Sequence, residues 1–386
     1  MMRIRNLLIF VLTCLMLVGS FVACGDTSDA SSSIESEIDE SSDSSEISEE
    51  ENMYPEYWGN GEYNRTENVG APEIIDSHEM TVKRVKASKY EITYQTDAGK
   101  MTVTLDEKTW GTFNIGAYKL VDDKGNTHVF TGGSTDWEYV YRTKKTVNSA
   151  MVWSGGNHGN EALVSLKFYN GETNEEIVFN KDGESVKVNK LHVIETTNLL
   201  YVADSDGDGY GYKDKNKDKF TENDVYANVV RKYTFVGPQI TLNVDYEYIK
   251  EVYYQLSYTC MFPIEKKYGL YCDMIDKSGK KIKTIETKKV GSPNYDGPMN
   301  NGNAATRVLI YGEEMPIYKF DVQVTTHTDS LENQKNSFKT AFWDMNVGSN
   351  KLYFSKYDAS EVTKIEAGTK YNTECIWTFI YDKDAK

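Results

Sequence analysis

The sequence predicts an all-β protein, built as a large antiparallel β-sandwich of the supersandwich or jelly-roll kind. Three observations carry this. Apolar and polar residues alternate with period two through most of the chain beyond residue 80. Val, Ile, Thr and Tyr crowd these segments, and Tyr alone occurs 28 times. Short turns rich in Gly, Asn, Asp and Lys separate them, as at Asp123-Lys-Gly-Asn126, Asn170-Gly171, Lys181-Asp-Gly183 and Lys277-Ser-Gly279. Beyond the N-terminal apolar run, no stretch long enough for a helix shows a helical period.

Taken in order, the chain opens with a basic pair, Arg3 and Arg5. An apolar run follows from Leu7 to Val18, then mostly small residues up to Ala23. This is the pattern of a secretory signal, and residues 1–23 are set apart from the folded body. Its end, Phe21-Val22-Ala23-Cys24, resembles the lipobox of bacterial lipoproteins, with Phe21 where that family usually has leucine. The resemblance implies that Cys24 is lipidated and becomes the mature N-terminus. The lipid would hold the protein to a membrane at the cell surface, on its extracytoplasmic side.

Residues 24–53 read as a disordered tether. From Gly25 to Met53 there are eleven acidic residues, ten serines and no Lys or Arg. Such a segment cannot bury enough apolar surface to offset its ordering entropy, and like charges keep it extended. Removing its −11 and the +2 of Arg3 and Arg5 from the net charge of −16 leaves −7 for the rest. The body is therefore mildly acidic. It has no basic footprint of the kind nucleic acid requires, so nucleic acid is not an expected partner.

Residues 54–386 form the body. The stretch 54–78, with Pro55 and Pro72, is an irregular lead-in. Strands are expected at Met80–Val85, Tyr90–Tyr94, Met101–Leu105, Thr127–Phe130, Tyr139–Arg142, Ala162–Tyr169, Ile177–Phe179 and Val186–Val188. A second series is expected at Leu191–Val202, Val225–Phe235, Ile240–Tyr248, Val252–Met261, Tyr268–Ile275, Lys281–Lys288, Thr306–Tyr311, Tyr318–Thr325, Phe338–Met345, Lys351–Phe354 and Thr373–Tyr381. A body of this length exceeds one simple sandwich. Either one large sandwich fills it, or a small N-terminal β module precedes a larger one with a boundary near 145–150. Cys260, Cys272 and Cys375 show no metal-ligand spacing. They are expected as buried small hydrophobes, with a Cys260–Cys272 disulfide as the alternative.

Two motifs carry chemistry. The first is Asp204-Ser-Asp206-Gly-Asp208-Gly209, with Tyr210 supplying a backbone carbonyl. Alternate carboxylates ahead of a turning glycine converge on one point and suit calcium, which takes six to eight oxygens in irregular geometry. The stretch resembles the opening of EF-hand and dockerin loops, but Lys215 stands where those close with glutamate. Asp214 or Asp218 is the expected closing ligand. Lys213, Lys215, Lys217 and Lys219 speak for a solvated second half. The expected calcium is a structural clip.

The second motif is Trp153-Ser-Gly-Gly-Asn157-His158-Gly-Asn-Glu161. Glycines permit tight turns and close backbone approach. Asn157 and His158 can bind a carboxylate or hydroxyl, Trp153 can stack on a sugar ring, and Glu161 completes a candidate ligand set. In a catalytic version His158, with Asn157 beside it, abstracts a proton. The plain alternative is a glycine-rich hairpin with a structural histidine. This stretch and the strand after it resemble part of β-rich phage tail and bacterial surface proteins. Residues 233–263, YTFVGPQITLNVDYEYIKEVYYQLSYTCMFP, are similar to the long sheets of supersandwich domains in mutarotase-like and polysaccharide-lyase proteins. These resemblances imply a β-sandwich near carbohydrate and transfer no active site.

Lys277–Lys289 reads as a solvated basic edge, and His327 as structural. The chain lacks a Gly-x-Ser-x-Gly elbow, a His-Glu-x-x-His pair and a phosphate loop. The expected function is binding or processing of a polysaccharide or cell-wall glycan by a lipid-anchored, calcium-stabilised surface protein. The alternatives are a lyase acting on uronate glycans and a structural or adhesive surface lipoprotein.

Overall fold

The computed structural model describes residues 66–131, 136–201, 220–287, 293–298, 305–327, 338–345 and 348–385. Cys24, the tether and the acidic loop with Asp204, Asp206, Asp208, Tyr210, Asp214 and Asp218 lie outside them. All described regular structure is strand apart from one 3-10 turn at Glu222–Asp224.

The first strands are β1 (Met80–Lys86), β2 (Lys89–Thr96), β3 (Gly99–Glu107), β4 (Phe113–Val121), β5 (Thr127–Val129) and β6 (Tyr139–Lys144). Next come β7 (Val152–Ser154), β8 (Glu161–Asn170), β9 (Glu176–Ile177), β10 (Ser185–Val188), β11 (Leu191–Leu200) and β12 (Val225–Val236). Then follow β13 (Gln239–Tyr248), β14 (Val252–Thr259), β15 (Met261–Glu265), β16 (Tyr271–Asp276), β17 (Lys281–Glu286) and β18 (Pro293–Pro298). The last five are β19 (Ala305–Tyr311), β20 (Tyr318–His327), β21 (Phe338–Asp344), β22 (Ser349–Ile365) and β23 (Lys370–Tyr381).

They form three antiparallel sheets. One has six strands, ordered β10-β1-β2-β3-β4-β5. One has ten, ordered β17-β16-β19-β20-β23-β13-β12-β11-β8-β9. The third has seven, ordered β18-β21-β22-β14-β6-β7, with β15 also pairing β22. The ten-stranded sheet is one layer of the sandwich, and the other two face it. Tyr90 of β2 packs on Phe168 of β8 at 4.5 Å between ring centres. Tyr139 of β6 meets Tyr246 of β13 at 5.5 Å, and Trp137 meets Trp377 of β23 at 5.4 Å. One apolar cluster runs through all three inner faces.

The expected strands form, and the structure adds others whose sequences hide them. β4 contains Gly116, which weakens a strand pattern. The reason for the glycine is tertiary: a Cβ there would run into the carboxylate of Asp106 on β3. β18 begins and ends in proline, and it lies at a sheet edge, where a missing N–H is tolerated. β22 runs well past the expected Lys351–Phe354. The stretch Val252–Met261, expected as one strand, divides at Cys260, whose φ is 51°. The Cys260–Cys272 alternative is corrected: all three cysteines are free and buried, and the Cys375 thiol is hydrogen-bonded to Cys260.

Where the sheets meet, four ionisable side chains are fully buried. Arg231 Nη2 of β12 lies 2.6 Å from Glu195 Oε2 of β11 and 3.7 Å from Glu161 Oε1 of β8. Glu195 Oε1 accepts the backbone N–H of Phe113 at 2.7 Å. Glu138 accepts from Asn114 Nδ2 at 2.7 Å, the Ile115 N–H at 3.0 Å and the Tyr233 hydroxyl at 2.7 Å. Glu161 accepts from Tyr139 and, at 2.7 Å, from Thr197. Burial pushes Glu195 up to about 8 against the opposing pull of Arg231. The folded chain then keeps a proton that the unfolded chain releases near 4.5, so this contribution falls as pH rises from about 4.5 to about 8. Glu195→Gln has no such proton. The stability of the wild type relative to this variant should fall across that window by up to about 1.4 kcal/mol per pH unit, read as urea midpoints. Parallel pH profiles would show that Glu195 stays ionised when folded.

Candidate functional site

Along β6 of the seven-stranded sheet, Tyr139 and Tyr141 point into the core, so Val140 and Arg142 take the outer face. The register then builds that face outward. Trp153 of β7 opposes Arg142, and Tyr258 of β14 opposes Val140. Tyr353 of β22 lies between Met261 of β15 and Ala341 of β21, and Trp343 of β21 opposes Lys351. Tyr258 and Met261 are three residues apart, and strict alternation would place them on opposite faces. The left-handed Cys260 between them resets the alternation, and both join the outer cluster.

The result is a row of aromatic rings. Trp153, Tyr258 and Trp343 are half-buried. Tyr258 and Tyr353 lie 4.6 Å apart between ring centres, and Trp343 meets Tyr353 edge-on at 6.3 Å. Cations sit over two of the rings: Arg142 is 5.5 Å from the Trp153 centre and Lys351 is 5.4 Å from that of Tyr353.

The glycine-rich loop closes one end of the row. Gly155 N–H donates to Gly159 O at 2.9 Å, and His158 N–H to Gly155 O at 3.0 Å. Asn160, left-handed at φ 53°, donates from Nδ2 to Trp153 O at 2.6 Å. Gly156 has φ 54°, and a Cβ there would strike the carboxylate of Asp136. Asp136 is the post on which the loop rests. Its Oδ1 accepts the Asn157 N–H at 2.6 Å, and its Oδ2 pairs with Lys351 Nζ at 3.2 Å. Lys351 is 3 % exposed; burial pulls its ammonium down, and Asp136 opposes that.

Of the residues expected from sequence, the structure brings three together. The His158 ring lies flat on Trp153, with centres 4.9 Å apart and planes 20° apart. Asn157 Oδ1 accepts from Lys108 Nζ at 2.6 Å. Glu161 is elsewhere: it points inward, to Tyr139, Thr197 and Arg231. Asp136, Lys108, Arg142, Tyr258, Trp343, Lys351 and Tyr353 were not singled out by sequence. They come from four separate strands and two connections, and only the strand register gathers them. Among the described residues, no group of three or more His, Cys, Asp or Glu could hold a metal ion.

No protein-family model matches the chain, and no curated protein matches its sequence. Solved structures give distant likenesses. The α-galactosidase AgaA of Geobacillus stearothermophilus is 8% identical over 75% of this chain and 41% of its own, with a TM-score of 0.40. The α-galactosidase of Lactobacillus brevis is 6% identical over 77% and 40%, with a TM-score of 0.43. A GalM/aldose epimerase homologue of C. elegans is 8% identical over 74% and 97%, with a TM-score of 0.32. The chain thus spans about two fifths of the length of the galactosidases. Likenesses this distant transfer neither activity nor site.

The loop geometry is directly testable. Gly156→Ala must strain a left-handed backbone and displace Asp136, so it should lower stability by at least about 1 kcal/mol in urea unfolding. An unchanged midpoint would mean that the loop does not rest on Asp136.

Proposed function

We propose that this chain is a lipid-anchored, extracytoplasmic protein that binds polysaccharide along the outer face of its seven-stranded sheet. The observation that carries the reading is the row Trp153, Tyr258, Tyr353 and Trp343. Three of these rings, Trp153, Tyr258 and Trp343, are half-buried around the buried Tyr353 and retain apolar surface in water, and clusters of such rings mark ligand surfaces. Each ring combines an apolar face with a polar edge, which matches the C–H faces and hydroxyl edges of pyranose rings. Arg142 and Lys108 add positive charge at the loop end, which suits a glycan bearing carboxylates.

The reading favours binding over turnover. One face of the His158 ring lies on Trp153, and the side-chain oxygen of Asn157 is occupied by Lys108, so both serve as parts of the platform. The acidic, serine-rich composition of residues 25–53 suits a spacer from a lipid on Cys24. Calcium, held by Asp204, Asp206 and Asp208 with Tyr210 and either Asp214 or Asp218, clips the connection between β11 and β12 and adds stability.

The test is retention of the full chain on a panel of plant and bacterial cell-wall polysaccharides, with calcium and again with chelator. Trp153→Ala and Trp343→Ala should each weaken binding at least about tenfold. Full retention in the double variant would sink the platform. Unsaturated uronate products that disappear in His158→Ala would replace binding by β-elimination. Calcium should raise the melting temperature of the wild type and leave that of Asp206→Asn unchanged; equal responses would remove the clip.

A further inference from the structure

The ten-stranded sheet also has an outer face, and it holds a pocket far in character from the aromatic row. Two ladders of opposed residues form its floor. Thr196 of β11 opposes Val230 of β12, which opposes Asp245 of β13, which opposes Asn372 of β23. Beside them, Asn228 opposes Glu247, which opposes Lys370. Thr196, Asn228, Val230, Asp245, Glu247 and Lys370 line a cavity of about 220 Å³.

Asp245 is the residue without a structural explanation. It is 9% exposed, in mid-strand, at the centre of the sheet. Its Oδ1 accepts from Asn372 Nδ2 at 2.6 Å. Asn372 is itself held by Asn243 Oδ1 at 3.0 Å and Val244 O at 3.2 Å. Asp245 Oδ2 is fully buried and has no hydrogen-bond partner among the described residues. A buried carboxylate oxygen left unpaired is costly, and a hydrophobic or amide side chain there would avoid the cost. Burial pushes its carboxyl up to about 6, with Glu374 adding to the rise and Asn372 opposing it.

We propose that this pocket is a separate ligand site for a single neutral sugar ring, whose hydroxyl groups donate to Asp245 as the entering ring shifts its side chain and opens the sealed oxygen. The cavity is below the usual size for a drug-sized ligand, which fits one ring rather than an oligomer. Thr196 and Asn228 can each donate and accept, and Val230 supplies an apolar wall. Lys370 and Glu247 stand 3.9 Å apart at the rim, both more than half exposed, and offset each other's charge. With the rim charges offset, the pocket presents Asp245 as an acceptor for hydroxyl donors. The inference stands on different residues and a different sheet from the polysaccharide platform.

The experiment is saturation-transfer NMR on the full chain with D-glucose, D-galactose, D-mannose and N-acetyl-D-glucosamine, and with cationic D-glucosamine as the contrast. At least one should receive saturation, and its dissociation constant should rise at least about tenfold in Asp245→Asn. Thermal melts check that this variant folds, and Asn228→Ala, at a half-buried lining position, should weaken binding without touching the carboxylate. The Trp153→Ala/Trp343→Ala double variant should bind the same sugar as the wild type does, even where it has lost polysaccharide. Three results overturn the proposal: no transfer to any neutral sugar, wild-type binding in both pocket variants, or transfer only to the cationic D-glucosamine.

Discussion

The structure depends on one buried charge cluster. Glu138, just ahead of β6, accepts from β4 of the six-stranded sheet and from Tyr233 of the ten-stranded sheet. Glu195 joins the same two sheets through the Phe113 N–H and Arg231. Glu161 and Glu195 face one buried guanidinium, with Glu138 buried close by, and this is tolerable only because donors from all three sheets converge there. Losing one partner would strand the others, so the sheets are bound to one relative arrangement. Apolar packing alone would be less particular, since apolar contact is non-directional.

Around that junction the interior is filled with tyrosine. Tyr118, Tyr139, Tyr141, Tyr226, Tyr233, Tyr246, Tyr248, Tyr254 and Tyr268 are all fully buried. Their rings pack edge-to-face across the layers, and several hydroxyls pair with one another, as Tyr94 with Tyr118 at 3.0 Å and Tyr248 with Tyr254 at 3.2 Å. The abundance of tyrosine is therefore chiefly a property of the core. The few half-buried rings on the outer face of the seven-stranded sheet stand out against that background.

Both candidate sites follow from the same rule applied on two sheets. A strand gives alternate residues to each face, so a wide sheet with a filled inner face presents a broad, rigid outer one. On the seven-stranded sheet that face is aromatic and its edge is shaped by a left-handed residue and a glycine loop. On the ten-stranded sheet it is polar, with Asp245 at the centre of a ladder of amides and hydroxyls. Both sets of side chains sit on paired strands, which hold them in place before any ligand arrives.

The sequence by itself determined the fold class, most of the strands and the turns between them. These are local properties: period-two burial, β-branched and aromatic content, and glycines where φ is positive, as at Gly125, Gly183 and Gly279. It also marked the Trp153–His158 loop, because three glycines in five residues have few other uses. It missed β4 and β18, where Gly116 and the two prolines obey tertiary demands rather than strand propensity. It grouped Glu161 with His158 because they are neighbours in the chain. The structure separates them, because the register of β8 turns Glu161 toward Arg231, 70 positions on. Only the tertiary structure could place Asp136 beneath the loop, gather the aromatic row from four strands, or leave an oxygen of Asp245 unpaired. Each of those depends on which strands are neighbours, and strand order is set by contacts between residues far apart in sequence.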